Sequence, residues 1–336
     1  MAEDFEIKNG EDVARLDATL RPSSFDDYVG QTAVKNALNI ILQAATQRAE
    51  TPEHILVSGP PGLGKTTLAI LIAKKLDAPL RTTSGPAIER AGDMAALLTS
   101  LKTGEVLFID EIHRLPKIAE EILYPALEDF GLDVVLGKGM GARSVRLDVP
   151  KFTLVGATTR PDLLSAPLRD RFGASFRLEY YDLDDIAKII ERSSKILGIE
   201  VEDDAKKAMA ERARSTPRIA NRLLKRVRDY AQVLGHDKVR LDSAHAAFDA
   251  FSVDSMGLDR LDRQYLQILA ENFDGGPAGV GAIAAALGEE AATVEEVIEP
   301  FLLQRGLIQR SPRGRILSDL GRRHLDQSKS NPIIKI

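Results

Sequence analysis

The chain contains no cysteine, which excludes a disulfide, a thiolate zinc site and a cysteine nucleophile. That absence fits a reducing compartment. The N-terminal run Met-Ala-Glu-Asp-Phe-Glu lacks the basic-then-apolar order of a secretion signal, and no apolar stretch is long enough to span a bilayer. A cytoplasmic protein with no membrane partner is expected. An excess of positive charge is missing too: 45 Lys and Arg stand against 50 Asp and Glu, a formal net charge of −5. This argues against a uniformly basic coat for nucleic acid, so any DNA contact needs a local basic patch. No short-period repeat or low-complexity tract interrupts the 336 residues, enough for two or three domains with cores of their own.

What is present is organised around Ile55 to Thr67, Ile-Leu-Val-Ser-Gly-Pro-Pro-Gly-Leu-Gly-Lys-Thr-Thr. A short apolar strand runs into Gly59, a glycine and proline loop follows, and Gly64-Lys65-Thr66 opens a segment with helical spacing at Leu68, Leu71, Ile72 and Leu76. Glycines let backbone N–H groups close on phosphate oxygens, Lys65 reaches the β- and γ-phosphates, and the Thr66 hydroxyl can ligate Mg²⁺. The helix N-terminus adds partial positive charge beneath the phosphates. Read alone, Gly-Pro-Pro-Gly is an ordinary turn and Lys65 a solvated lysine. The coincidence of strand, complete motif and helix favours a nucleotide site.

Upstream, Leu20-Arg21-Pro22 and Phe25 to Gln31 precede a helix from about Thr32. They lie one helix before the loop, where they either reach a nucleotide base or simply pack. Downstream, Val106-Leu107-Phe108-Ile109-Asp110-Glu111 is an apolar strand ending in two carboxylates, at the strand edge where parallel sheets collect ligands. Asp110 can hold Mg²⁺ through its water shell and Glu111 can polarise a water for attack on the γ-phosphate, whereas capping of a helix is the plainer role. Between Phe130 and Pro150, alternating apolar residues flank Gly137-Lys138-Gly139-Met140-Gly141, which reads as an inserted β-hairpin, either a partner surface or an inert ribbon. Phe152 to Thr159 is a further strand ending at the ligand edge, where the Thr159 hydroxyl can meet phosphate or attacking water, or merely cap. In Pro167-Leu168-Arg169-Asp170-Arg171-Phe172-Gly173, spacing leaves Arg171 as a surface ion-pair member or as an arginine finger for a neighbouring subunit.

From Leu183 to Phe251 the pattern is helices only, joined at about Tyr181-Asp182, and Arg218 follows a Thr-Pro helix start from which it can return to the phosphates. Arg218, Arg222, Lys225, Arg226 and Arg228 alternatively form a solvated or DNA-facing surface. Beyond Asp254 to Asp259, three short helical patterns precede strand, turn and strand at 306–317, a winged-helix arrangement. Arg310, Arg313 and Arg315 cluster on the wing, suited to phosphate contact rather than base reading, with a solvated charged turn as the alternative.

With these residues assembled, the chain resembles the AAA+ ATPases and, more closely, the RuvB family of bacterial Holliday-junction branch-migration motors. The resemblance runs from Leu20-Arg21-Pro22 through the winged helix. It rests on the phosphate loop and on the runs Arg-Thr-Thr-Ser-Gly-Pro, Leu-Phe-Ile-Asp-Glu-Ile-His-Arg-Leu, Leu-Tyr-Pro-Ala-Leu-Glu-Asp-Phe, Gly-Ala-Thr-Thr-Arg, Thr-Pro-Arg-Ile-Ala-Asn-Arg-Leu and Pro-Arg-Gly-Arg. The implied fold is α/β: a flexible segment 1–19, an AAA+ P-loop parallel-sheet ATPase domain at 20–181 with a β-hairpin at about 132–149, a small helical lid at 182–254, a winged helix at 255–330 and a tail at 331–336. The resemblance implies that Leu20, Arg21 and Tyr181 surround the adenine and its sugar. Gly62, Gly64, Lys65, Thr66 and Thr67 would surround the phosphates and Mg²⁺, with Glu128, Asp129 and Phe130 near the nucleotide.

Thr159 would be the first sensor, Arg218 the second, and Arg171 a finger acting in trans. A homo-hexameric ring on DNA is implied, acting in recombination, repair and the SOS response. The hairpin would dock on the junction-binding protein RuvA and the winged helix on the DNA backbone, with a resolvase complex formed with RuvC. One departure is that Ala291-Ala292 stands after Gly288-Glu289-Glu290 where some relatives carry a basic residue. A clamp-loader subunit shares the ATPase core but ends in a helical collar, and its finger lies in a Ser-Arg-Cys run. A winged-helix regulator that uses ATP only to assemble is the non-enzymatic alternative.

Overall fold

Buried strands that read as near-continuous apolar runs set the first unit. The computed structural model describes residues 18–136 and 143–330. The flexible lead-in expected at 1–19 lies almost wholly outside them, as do the hairpin tip at 137–142 and the tail at 331–336. The chain divides into two compact units at Tyr181 and Asp182.

In the first unit, β1 (Ile55–Ser58), β2 (Leu80–Ser84), β3 (Val106–Asp110), β6 (Thr153–Thr158) and β7 (Ala174–Arg177) form a parallel sheet in the order β2-β3-β6-β1-β7. Every residue of β6 is buried, as expected for a strand covered on both faces. The crossovers are helices: α1 (Thr32–Arg48) leads into β1, α2 (Lys65–Lys75) follows it, and α3 (Ala91–Thr99) and α4 (Lys117–Glu128) flank β3. Met94 and Leu98 of α3 and Leu123 of α4 bury against Leu107, Ile109 and Leu154 of the sheet. Because all five strands point the same way, the C-terminal ends of β1, β3 and β6 meet at one edge, with β6 between the other two. Register places Ser58 beside Thr158 and Ile109 beside Gly156.

Between α4 and β6 the antiparallel pair β4 (Gly131–Leu136) and β5 (Arg143–Asp148) forms the expected hairpin. Leu132 is buried at its base, while Val145 and Leu147 are exposed.

The second unit is helical before its wing. Asp182 caps α6 (Leu183–Ile196) by accepting from the Asp185 amide at 2.7 Å, and Thr216 caps α8 (Pro217–Val233). With α7 (Asp203–Arg212) and α9 (Leu241–Ala250), and a two-residue parallel pair of β8 (Glu200–Val201) with β9 (Lys238–Val239), these helices make a bundle. Asp259 then caps α10 (Arg260–Glu271). α11 (Val280–Leu287) and a helical stretch α12 at 291–304, which contains a π-helical segment at Val294–Ile298, precede β10 (Ile308–Ser311), β11 (Gly314–Leu317) and α13 (Asp319–Ser330). Tyr265, Leu266, Leu269, Ile283, Ile298 and Leu302 form the core of this winged helix.

Candidate nucleotide site and wing

The loop between β1 and α2 is built on glycines held at positive φ: Gly59 at 144°, Gly62 at 82° and Gly64 at 100°. A Cβ on Gly59 would stand 2.7 Å from the Leu178 carbonyl oxygen, so the loop passes against the end of β7 only without a side chain. Lys65 opens α2 and is buried, its ammonium donating to the carbonyls of Gly59 at 2.7 Å and Pro60 at 3.0 Å. Thr66 and Thr67 sit in the first helical turn, half-buried.

The segment before α1 closes on this loop. Leu20, Phe25 and Tyr28 are buried, and the Tyr28 and Tyr181 hydroxyls each donate to the Leu63 carbonyl at 3.4 Å. Burial, reinforced by Tyr181, pushes the Tyr28 phenol well above its ordinary pKa, so it stays a donor. The Gln31 amide fixes the segment to the end of β7, donating to the Glu179 carbonyl at 2.6 Å and accepting from its N–H at 3.2 Å. Arg21 is exposed. The segment expected either to reach a nucleotide base or simply to pack is thus joined to the loop's surroundings, through Tyr28 and Tyr181 at Leu63 and through Gln31 at Glu179.

At the edge of β3, Glu111 adopts a left-handed backbone conformation with φ 46°. Its carboxylate accepts from the Thr159 hydroxyl at 2.9 Å and lies 3.2 Å from His113 Nδ1. His113 is buried and also 2.9 Å from the Thr158 hydroxyl. Asp110 accepts from the Glu111 amide at 3.0 Å. The two expected carboxylates and Thr159 therefore meet across β3 and β6, with His113 as an additional member. Sequence position alone gave His113 no role, although it stands two residues after Glu111.

Arg171 is not free in solvent. Its Nη2 is 2.9 Å from Glu128, its Nη1 donates to the Pro167 carbonyl at 2.6 Å, and its guanidinium lies 4.7 Å from the Tyr124 ring centre. Tyr124 and Ser165 both bond the buried Glu120 carboxylate, at 2.8 and 2.7 Å, and Ser165 caps the short helix α5 (Ala166–Arg169) that leads to Arg171. Phe172 seats against β6 at Gly156, where a Cβ would come within 2.9 Å of its ring. The run 128–130 serves this neighbourhood: Glu128 pairs with Arg171, Asp129 with Arg146 at 3.2 Å, and Phe130 packs edge-on to Phe152. None of these three contacts is with the phosphate loop.

In the second unit, Arg218 is exposed in the first turn of α8 and makes no hydrogen bond or ion pair among the described residues. On the wing, Arg310 and Arg315 face each other across β10 and β11 and both bond Glu299, which is fully buried. Arg313 stands exposed at the turn.

A glycine loop at a helix N-terminus, an adjacent acidic strand end, a helical lid and a winged helix define a P-loop ATPase of the AAA+ class with a DNA-binding module. Comparison with known proteins narrows this. The description "Holliday junction DNA helicase RuvB P-loop domain" matches residues 20–178, "RuvB AAA lid domain" matches 181–254 and "RuvB C-terminal winged helix domain" matches 255–326. The chain belongs to the RuvB family. It is 55% identical over 310 residues to the Holliday junction branch migration complex subunit RuvB of Nocardia farcinica, covering 92% of this chain and 87% of that protein. The subunit of the same name from Rubrobacter xylanophilus is 54% identical over 307 residues, covering 91% and 86%. The structure of the Thermotoga maritima RuvB Holliday junction branch migration motor is 47% identical, with a TM-score of 0.84, covering 92% of this chain and 98% of that one.

Proposed function

We propose that this chain is an ATP-driven DNA translocase that moves the branch point of Holliday junctions in recombination and repair, working as a homo-hexameric ring with RuvA. The observation that carries the reading is the Glu111–Thr159 hydrogen bond at the sheet edge from which the Lys65 loop departs, in a chain that also contains a winged helix.

In this reading, ATP lies along the loop with its adenine between the Leu20–Arg21 segment and Tyr181. The Lys65 ammonium, which here bridges loop carbonyls, turns to the β- and γ-phosphates. Thr66 and Asp110 would hold Mg²⁺, a hard ion that prefers oxygen donors. When bound, Mg²⁺ neutralises charge on the β- and γ-phosphate oxygens. Glu111 orients the attacking water, while Thr159 holds the carboxylate through its hydroxyl and senses the γ-phosphate. Arg171 of the adjacent subunit neutralises developing charge, and the Glu128–Tyr124 platform holds its guanidinium until a neighbour docks. Arg218 relays hydrolysis to the lid and the winged helix.

The exposed Val145 and Leu147 of the hairpin suit an apolar docking surface for RuvA. A resolvase complex with RuvC and a place in the cytoplasm belong to the same reading; no helix among the described residues is long and apolar enough to cross a membrane.

Glu111→Gln tests the chemistry. Loss of the base should lower ATP turnover about 100-fold or more with nucleotide binding retained. Turnover at the wild-type rate would remove Glu111 from the mechanism.

A further inference from the structure

The wing presents a conflict that its own fold resolves. Arg310 and Arg315 are directly opposite on the antiparallel pair β10 and β11, and like charges so placed repel. Between them lies the Glu299 carboxylate from α12, with no solvent exposure. Arg315 grips it with two bonds, Nε to Oε1 at 2.7 Å and Nη2 to Oε2 at 3.1 Å. Arg310 places Nε at 3.1 Å and Nη2 at 2.6 Å on Oε2. The Tyr265 hydroxyl, from α10, donates to Oε1 at 3.1 Å. These contacts use all the acceptor capacity a carboxylate has.

Both arginines spend the same Nε–Nη2 edge on Glu299. Among the described residues, the Nη1 nitrogen of neither has a protein partner; the Arg310 side chain is half exposed, and Arg315 Nη1 is not among the buried polar atoms left unbonded, so both arginines keep a donor end toward solvent. Glu295, four residues before Glu299 on the same helix, takes Nη2 of Arg315 at 2.7 Å and completes the clamp. The result is a pair of guanidinium groups locked side by side, each with one donor end turned outward, and the unpartnered Arg313 at the adjoining turn.

We propose that Glu299 is a positioning residue for DNA: buried and negative, it holds Arg310 and Arg315 as a preformed fork for the oxygens of a DNA backbone phosphate. The inference rests on the reading of the wing as a backbone contact. A rigid arginine loses less freedom on binding than a solvated one, so a residue that adds negative charge beneath the interface strengthens it. Charge alone demands the opposite sign, because removing a carboxylate from a DNA-facing surface should tighten binding.

The test is binding of the full chain to a fluorescein-labelled duplex, by anisotropy across a salt series. In Glu299→Gln the amide NH₂ can accept from no donor, so one guanidinium loses its seat while the side chain keeps its size. The expected result is binding about tenfold weaker, with a salt slope reduced by about one, despite the gain of a positive charge. Binding equal to or tighter than wild type would overturn the proposal.

Because the site is buried, Glu299→Gln is also placed in an Arg310→Ala, Arg315→Ala background. If Glu299 acts through these arginines the third change adds no loss, whereas a further loss would show that it acts through the fold and would overturn the inference. The double arginine variant tests the underlying reading separately: affinity and salt slope equal to wild type would remove the wing from the DNA interface altogether.

Discussion

Thr159 is the side chain through which β6 reaches the proposed base. Its hydroxyl donates to Glu111 at 2.9 Å, and the left-handed backbone at Glu111 turns that carboxylate toward the strand between β1 and β3. Thr159→Val keeps the shape and deletes the donor. ATP turnover should fall about tenfold or more through misorientation of the base, with nucleotide affinity changed much less. A turnover number unchanged by this substitution would separate Thr159 from the chemistry. At this scale the sequence was informative where the chemistry is local in the chain: Lys65, Thr66, Asp110 and Glu111 each stand at the end of a readable strand or start of a readable helix. It was silent on His113 and Glu299, whose partners Thr158, Arg310 and Arg315 lie on other elements. No spacing within one segment encodes those meetings. Arg171 was legible as a candidate, but its seat on Tyr124 and Glu128 needs the fold.

At the scale of elements, His54 pins three of them together. Its Nδ1 accepts from the Leu154 amide of β6 at 3.0 Å and its Nε2 donates to the Leu127 carbonyl of α4 at 3.1 Å, just before β1 begins. Burial lowers its pKa, so the unfolded chain takes a proton first. The stability that neutral His54 contributes is full above about pH 6.5 and is lost as pH falls through that value toward the folded pKa. Hydrogen exchange in β1 and β6, corrected for intrinsic rate, should therefore quicken as pH falls from about 7.5 to about 5.5. His54→Gln, which keeps one donor and one acceptor and does not titrate, should flatten the response. An equal pH response in the variant would assign it to other groups.

Most elements were readable from apolar period and turn residues, including the hairpin, the lid helices and the wing. The short strand β7 was not, because Ala174–Arg177 alternates half-buried and exposed positions over only a few residues after the arginine loop. The C-terminal helix Asp319–Ser330 was likewise hidden by its polar face, with Leu325 buried in the winged-helix core.

For the whole molecule, a finger that acts across a subunit boundary makes a stoichiometric statement. Arg171→Ala subunits keep Lys65, and Lys65→Ala subunits keep Arg171, so each is inactive alone. Mixed in equal amounts they create interfaces with both groups intact, and the mixture should recover about a quarter of wild-type ATP turnover if each finger serves its neighbour. No recovery would place the finger and the loop it serves in one subunit.

The most direct measurement follows the junction itself. A synthetic four-way junction is incubated with RuvA, ATP and either the wild-type chain or Arg171→Ala, and branch migration is read by the appearance of separated duplex products. The account predicts movement that requires both RuvA and ATP and is lost in Arg171→Ala. ATP hydrolysis by the wild-type chain with RuvA present, but with no movement of the junction, would contradict it and leave a nucleotide-binding switch in its place.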